Sequence, residues 1–112
     1  MSAKYNITCE QAATFNFQFQ IKTDNTPWDL SNYTGVMTVR PFLGSETTTL
    51  VASTANGRMT LNSSGFVTVT VDATTTGNIS AGRYVYDLVL TSSGVVTRAL
   101  EGKFVVTGAV TV

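Results

Sequence analysis

Few residues of this chain can do chemistry. It has seven carboxylates and one thiol, Cys9, and it contains no histidine. Histidine is the usual general base near neutral pH, so its absence excludes Ser-His-Asp and Cys-His catalytic arrangements. A single cysteine forms no internal disulfide and no zinc site of the usual Cys/His kind. We interpret Cys9 as a small buried apolar residue of a strand, and the alternative is a reactive thiol.

Paired carboxylates are the next candidates, because a glycosidase needs two acids that converge on one cleft. Asp87 and Glu101 fall on the outward phase of neighbouring predicted strands. The predicted register places Glu101 opposite Val85, about two positions from Asp87. Arg83 and Lys103 fall on the same face, and a flat sheet provides no cleft. We therefore predict a solvated charge cluster, no catalytic residues and no enzymatic activity.

A calcium site is a further hypothesis, since Asp24, Asn25 and Asp29 supply oxygen ligands around one predicted turn. Their spacing matches no known calcium-binding loop. Asp and Asn also favour turns for backbone reasons alone, and this is the interpretation we prefer. The glycines are dispersed at turns and form no phosphate-binding loop. The sequence therefore predicts no metal and no cofactor.

Length and composition limit the function classes. The chain has 112 residues, which predicts one domain over residues 1–112. Only 12% of the residues are charged and the net charge is zero, so nothing draws the chain toward nucleic acid or anionic membrane. A surface rich in Thr and poor in charge suits contact with other proteins. The N-terminus has no signal-peptide pattern, so we expect assembly in a cytoplasm.

The elements that must carry these residues are strands, because apolar and polar residues alternate along most of the chain. In the clearest run, Phe15, Phe17, Phe19 and Ile21 share one face. Predicted strands cover residues 14–22, 36–40, 47–53, 58–61, 66–72, 84–90 and 96–106, with a hairpin turn at Asn56-Gly57 and one helical turn capped by Asp72. This spacing predicts an all-β, immunoglobulin-like β-sandwich of about seven or eight antiparallel strands.

Two details concern the last strands. Tyr84 follows a crossing between sheets, where a tyrosine often hydrogen-bonds back to the preceding turn; the alternative is an ordinary core tyrosine. Ser92-Ser93-Gly94 fits a three-residue hairpin loop. That loop would place Tyr86 opposite Leu100 and Tyr84 opposite Gly102.

Aromatic residues outside the inward phase are candidates for binding. Trp28 is expected to cover the end of the core, while Phe42 and Phe66 are expected to contact a neighbouring subunit. These three residues are the predicted interface candidates. Exposed aromatics, Tyr33 among them, are also compatible with a sugar-binding platform, which gives a carbohydrate-binding module as the alternative function.

Five segments together carry a family resemblance. They are residues 10–15 (EQAATF), 28–35 (WDLSNYTG), 37–40 (MTVR), 81–88 (AGRYVYDL) and 96–102 (VTRALEG). Their order and spacing resemble small structural proteins of tailed bacteriophages, and the pattern is similar to the immunoglobulin-like N-terminal module of phage baseplate upper proteins. The resemblance covers nearly the whole chain. Many relatives have Gly where this chain has Ala12.

The resemblance implies a virion component without an enzymatic role, assembled in the host cytoplasm. It implies other virion proteins as partners. We further expect a homo-oligomer and, from the low and balanced charge, no bound nucleic acid or membrane. Its place would be the baseplate or a tail-fibre attachment, with capsid decoration as the alternative location. Low charge and strand edges fit repeated packing in a symmetric particle.

Overall fold

Two β-sheets packed face to face form the fold of residues 3–108, the part of the chain that this computed structural model describes. Residues 1, 2 and 109–112 of the predicted domain lie outside it. In chain order the elements are β1 (Ala3–Lys4), β2 (Ile7–Glu10), β3 (Phe15–Gln20), β4 (Lys22–Thr23), β5 (Thr26–Pro27), β6 (Thr34–Arg40), β7 (Leu50–Ser53), β8 (Met59–Leu61), β9 (Phe66–Val71), α1 (Ala73–Gly77), β10 (Gly82–Ser92) and β11 (Val95–Thr107).

The larger sheet has the order β1-β11-β10-β6-β7, with β2 also paired to β11, and the smaller sheet has the order β3-β9-β8. The chain therefore enters the smaller sheet at β3, crosses to the larger one at β6, returns at β8 and crosses again at β10. This is an immunoglobulin-like β-sandwich, as the alternation of residues predicted. Strands β4 and β5 form a separate small hairpin.

The N-terminal strands depart from the prediction of an antiparallel fold. Strands β1 and β2 run parallel to β11, and neither was predicted as a separate strand. Two parallel strands cannot be joined by a tight turn. Here the partner strand β11 lies almost the whole chain length away from β1 and β2. Short strands of this kind carry too little alternation for their pairing to be predicted from sequence.

The predicted core phase is confirmed. Every second residue of β9 is buried, with Val67, Val69 and Val71 fully inaccessible to solvent. On β10 the same alternation buries Tyr86, Leu88 and Leu90. One hydrophobic cluster joins both sheets, because a half-buried strand can shelter its apolar face only against the facing sheet.

The predicted hairpin at Asn56-Gly57 is wrong. Strand β7 pairs with β6 in the larger sheet, whereas β8 pairs with β9 in the smaller one. The segment therefore carries the chain between sheets. The carboxamide oxygen of Asn56 accepts hydrogen bonds from the backbone N–H groups of Ser53 and Arg58, each at 3.0 Å. Turn chemistry favoured Asn here, but it does not decide which sheet receives the next strand.

The register between β10 and β11 also differs from the prediction. Ser93 and Gly94 form a two-residue loop, both with positive φ, and a bulge interrupts the ladder next to Leu88. As a result Tyr86 faces Gly102, and Tyr84 faces Phe104. The predicted pairings of Tyr86 with Leu100 and of Tyr84 with Gly102 are therefore wrong.

Two predictions at turns, the Tyr84 corner and the Asp72 helix cap, are confirmed. The hydroxyl of Tyr84 donates a 2.6 Å hydrogen bond to the carbonyl of Ser80, which confirms the predicted corner. Asp72 caps α1 by accepting a 2.8 Å hydrogen bond from the backbone N–H of Thr75, also as predicted. Ala12 adopts a left-handed conformation with φ 62°, so a turn that favours Gly is made here by a residue with a Cβ atom.

Candidate functional site

The outer face of the larger sheet carries charged side chains, exposed apolar side chains and a groove. We define the outer face by Val36, Thr38, Arg40, Val85, Asp87, Val89, Val96, Arg98, Glu101 and Lys103, whose neighbours in the strands point into the core. A groove of about 650 Å³ runs over it, and Asp87 and Glu101 are among the residues that line it. The expectation that the sheet provides no cleft beside these two acids is therefore wrong. Lys4 and Asn6 line one side of the groove, and residues 43–45 of the loop after β6 line the other.

Charged residues occupy the centre of this face. Asp87 and Glu101 lie directly opposite each other on β10 and β11, which corrects the predicted pairing of Glu101 with Val85. The guanidinium group of Arg98 lies 3.4 Å from the Asp87 carboxylate and 4.0 Å from that of Glu101. Arg98 thus offsets the repulsion between two facing acids. The arrangement is a surface charge cluster, as predicted, but the cation that pairs with both carboxylates is Arg98 and not Arg83 or Lys103.

The groove as a whole is positively charged. Four of the chain's seven Lys and Arg residues line it, against two of its seven acidic residues. The ammonium groups of Lys4 and Lys103 form no ion pair with any residue among 3–108. Arg40 donates hydrogen bonds to the Ser45 carbonyl and to the Thr48 hydroxyl, at 3.0 and 3.4 Å. Arg40 therefore holds the loop at the groove's edge. The ammonium groups of Lys4 and Lys103 remain available to pair with acidic groups of a partner.

Exposed apolar side chains flank the groove at both ends. Phe42 and Leu43, in the loop after β6, are 62% and 91% exposed. At the other end, Val36 and Val96 are 40% and 67% exposed. Four of the six large hydrophobic residues that are exposed within residues 3–108 therefore lie on or beside one face. Such clustering on a folded domain is typical of a protein interface.

The three predicted interface residues lie in different places. Only Phe42 borders the outer face. Phe66 lies half-buried on β9, across from Gln20 and on the opposite surface of the sandwich. Trp28 is half-buried against the core, with its ring 6.1 Å from that of Tyr33 and its indole N–H bonded to the Thr23 hydroxyl. The structure therefore does not bring the three into one site.

Sequence reasoning missed Leu43, Val36 and Val96. Leu43 follows Phe42 in a loop, where no periodicity indicates exposure. Val96 shares the inward phase of Leu100 by simple alternation, but the bulge in β11 shifts the phase and turns Val96 outward. No local signal marks that bulge, so the exposed position of Val96 depends on the tertiary register.

The remaining chemistry-bearing residues have structural roles. Cys9 is fully buried, and burial raises the pKa of its thiol, which disfavours the reactive thiolate. Asp24 and Asn25 form the turn between β4 and β5 with positive φ. The Asp29 carboxylate accepts hydrogen bonds from the hydroxyl and N–H of Ser31, which lower its pKa. No group of three His, Cys, Asp or Glu able to hold a metal occurs among residues 3–108. In the same range no helix is long and apolar enough to cross a membrane.

Comparisons with known proteins show no matching family model and no matching curated protein. Among solved structures, the chain is similar to murine CRIg at 12% identity and a TM-score of 0.44, over 93% of this chain and 92% of that one. It is also similar to the extracellular domains of the voltage-gated sodium channel beta4 subunit, solved as parallel homodimers. That identity is 10% and the TM-score 0.43, over 98% of this chain and 96% of that one. These likenesses concern the fold alone.

Proposed function

We propose that this chain is a structural component of a tailed-phage virion that acts through protein–protein contacts made by its outer face. The observation that carries the proposal is the exposure of four large apolar residues, Phe42, Leu43, Val36 and Val96, on or beside the outer face, where Leu43 also lines the groove. The five segments that resemble phage structural proteins support the virion as the setting. A baseplate or tail-fibre attachment is the preferred location, and capsid decoration is the alternative.

In the isolated domain, water covers the apolar side chains of Phe42 and Leu43. Burying one large apolar side chain contributes about 1.5–3 kcal/mol, and a few such anchors dominate most interfaces. Phe42 and Leu43 stand at the tip of a loop that Arg40 fastens to β6. An anchor held in place before binding loses less conformational entropy when a partner covers it. The loop is therefore suited to insert into a neighbouring subunit.

The charges of the groove indicate the chemistry of the partner. Lys4 and Lys103 have no ion-pair partner within residues 3–108, while Arg98 is shared by two acids. A surface with acidic residues opposite these lysines would complement the groove. Charge complementarity of this kind sets orientation and association rate more than it sets affinity.

Cryo-electron microscopy of the intact particle tests the proposal directly, by locating the chain and the face it uses. With purified components, binding to purified capsids or tails tests the same contact. Light scattering shows whether the chain forms an oligomer. The double variant Phe42→Ser, Leu43→Asp should abolish the binding, and the matched control Thr60→Asp, on the smaller sheet, should leave it unchanged. A monomer that binds neither structure would refute the proposal. Binding to a glycan array would instead favour the carbohydrate-binding module.

A further inference from the structure

Strand β3 forms an uncovered edge of the smaller sheet. It pairs with β9 through all six residues, Phe15 to Gln20, and has no partner strand on its other side within residues 3–108. The N-terminal strands β1 and β2, which precede β3 in the chain, pair instead with β11 in the larger sheet. The edge is open because those strands belong to the other sheet.

The backbone of this edge has unmet hydrogen-bonding capacity. In an antiparallel pair, alternate residues direct their N–H and C=O groups away from the partner strand. No hydrogen bond within residues 3–108 reaches the outward backbone groups of β3. A row of regularly spaced donors and acceptors is complementary to another strand rather than to a side chain or a loop.

The edge also lacks the features that normally prevent strand addition. Such features are charged residues, proline, a bulge or a very short strand. The β3 sequence FNFQFQ contains no charge and no proline, and its ladder to β9 is regular. By contrast β8, the other edge of the same sheet, has only three residues. The long edge is therefore the unprotected one.

The polar side chains of β3 leave the edge clear. The carboxamide of Gln18 donates a 3.2 Å hydrogen bond to the hydroxyl of Thr68, and the hydroxyl of Thr70 donates one of 3.0 Å to Asn16. Both amides therefore lean over β9, on the side away from the open edge. An incoming strand would therefore meet backbone without breaking these two amide hydrogen bonds.

An aromatic seam runs beside the same edge. Phe17 and Phe19 are only half-buried, and the ring of Tyr5 lies 5.7 and 6.0 Å from theirs. Tyr5 itself is 48% exposed. The seam continues into a depression of about 350 Å³ that Trp28 and Ala99 help to line. Burial of this seam would add hydrophobic stabilisation to any strand pairing at β3.

We infer that β3 pairs antiparallel with β3 of a second copy of this chain. Facing residues of an antiparallel pair lie on the same face of the sheet, so a two-fold axis through Phe17 or Gln18 sets Phe against Phe and amide against amide. The strand carries no charge, so self-pairing brings no like charges together. The product is a continuous six-stranded sheet in which the two aromatic seams adjoin. This contact uses the smaller sheet and does not depend on the outer face.

Cysteine cross-linking tests the inference. Cys9 is fully buried, so a cysteine introduced by Gln18→Cys is the accessible thiol among the described residues. A short bifunctional thiol reagent should convert this variant to a covalent dimer at low protein concentration. The matched control Thr60→Cys places an exposed thiol on β8, the far edge of the same sheet, and should give none. Equal cross-linking of the two variants would overturn the inference.

Sedimentation analysis provides a second measurement. Gln18→Lys sets two like charges near the two-fold axis and should weaken dimerisation about tenfold or more, while Thr60→Lys should leave it unchanged. Circular dichroism melts verify that both variants fold. Wild-type protein that stays monomeric at high micromolar concentration overturns the pairing. The outer-face variant Phe42→Ser, Leu43→Asp should retain the β3 dimer, so failure of the virion proposal and failure of this one are distinguishable.

Discussion

The hydroxyl of Tyr86 donates a 2.5 Å hydrogen bond to the backbone carbonyl of Tyr5, a residue 81 positions earlier in the chain. Tyr86 belongs to the central strand β10, so this bond fastens the N-terminal segment to the middle of the larger sheet. The segment passes over Gly102, which faces Tyr86 across the β10–β11 pair. Substitutions at Tyr86 and Gly102 should therefore change the stability of the fold.

Tyr86→Phe should lower the free energy of unfolding by about 1–2 kcal/mol. The substitution removes the hydroxyl donor, so the Tyr5 carbonyl loses this hydrogen bond. Urea denaturation measures the change. Tyr33→Phe is the matched control, since the Tyr33 hydroxyl forms no hydrogen bond within residues 3–108, and it should be close to neutral. Equal effects of the two substitutions would contradict the assigned role of Tyr86.

The raised pKa of Tyr86 leads us to expect a loss of stability in alkali. Burial, together with the neighbouring Tyr5, raises the pKa of Tyr86 from 10.0 to about 12. Because the fold favours the neutral phenol, this contribution is complete below pH 10 and is lost as the pH rises from 10 towards about 12. Urea titrations across that interval should show a smaller loss for Tyr86→Phe than for the wild type. Ultraviolet titration should detect the late ionisation of Tyr86, and this late step should be absent from Tyr86→Phe.

Gly102→Ala should destabilise the protein by about 2 kcal/mol or more, because overpacking a filled site forces the backbone to shift. A Cβ atom at this position would collide with the backbone carbonyl of Tyr5. Gly108→Ala is the control, since its Cβ atom would meet the Ala81 side chain at an ordinary 3.8 Å. Thermal melts of both variants test the difference, and a neutral Gly102→Ala would mean that the segment does not cross there.

Ala12→Gly should stabilise the protein by about 0.5–1 kcal/mol. Ala12 has a φ of 62°, where a Cβ atom is unfavourable, and relief of that strain exceeds the added flexibility of the unfolded chain. Ala13→Gly is the control, because Ala13 is not among the positive-φ residues and should lose stability on the same change. Chemical denaturation of the pair provides the measurement. Destabilisation by both substitutions would contradict the left-handed turn.

Protonation of the Asp72 carboxylate should lower the stability of the fold in acid. Hydrogen bonds from Thr75 hold the pKa of its carboxyl below the ordinary 3.8. The contribution is therefore complete above the unfolded pKa and is lost as the pH falls through the lower folded pKa. Asp72→Asn keeps an acceptor for the cap but does not titrate, so its stability should depend less on pH below about 4. Asp72→Ala should lose the cap at every pH.

The two sheets should differ in their sensitivity to truncation. Phe104 is fully buried between the sheets, so Phe104→Ala should cost about 3–5 kcal/mol. Phe17→Ala should cost less, because Phe17 is half-buried on the open edge strand. Denaturation of both variants at low protein concentration tests the order. Raising the concentration should increase the cost of Phe17→Ala if β3 forms the proposed dimer, since the seam is then buried.

The sequence alone determined the features that depend on neighbours in the chain. Alternation with period two identified the inward residues of β3, β9 and β10, because the pleat sends successive side chains to opposite faces. Turn and capping chemistry likewise placed the Tyr84 corner and the Asp72 cap. These features follow from a few adjacent residues, so a sequence pattern suffices to predict them.

Only the tertiary structure decided which strands meet and in which register. Nothing local sends β8 to the smaller sheet after Asn56-Gly57, and nothing local pairs β1 and β2 with β11. The bulge in β11 sets Asp87 opposite Glu101 and turns Val96 outward, and so it assembles the outer face. The open edge of β3 likewise follows from the pairing of distant strands. Strand partners are chosen by the burial of both sheets together, and the energy of that choice is spread over residues far apart in the chain.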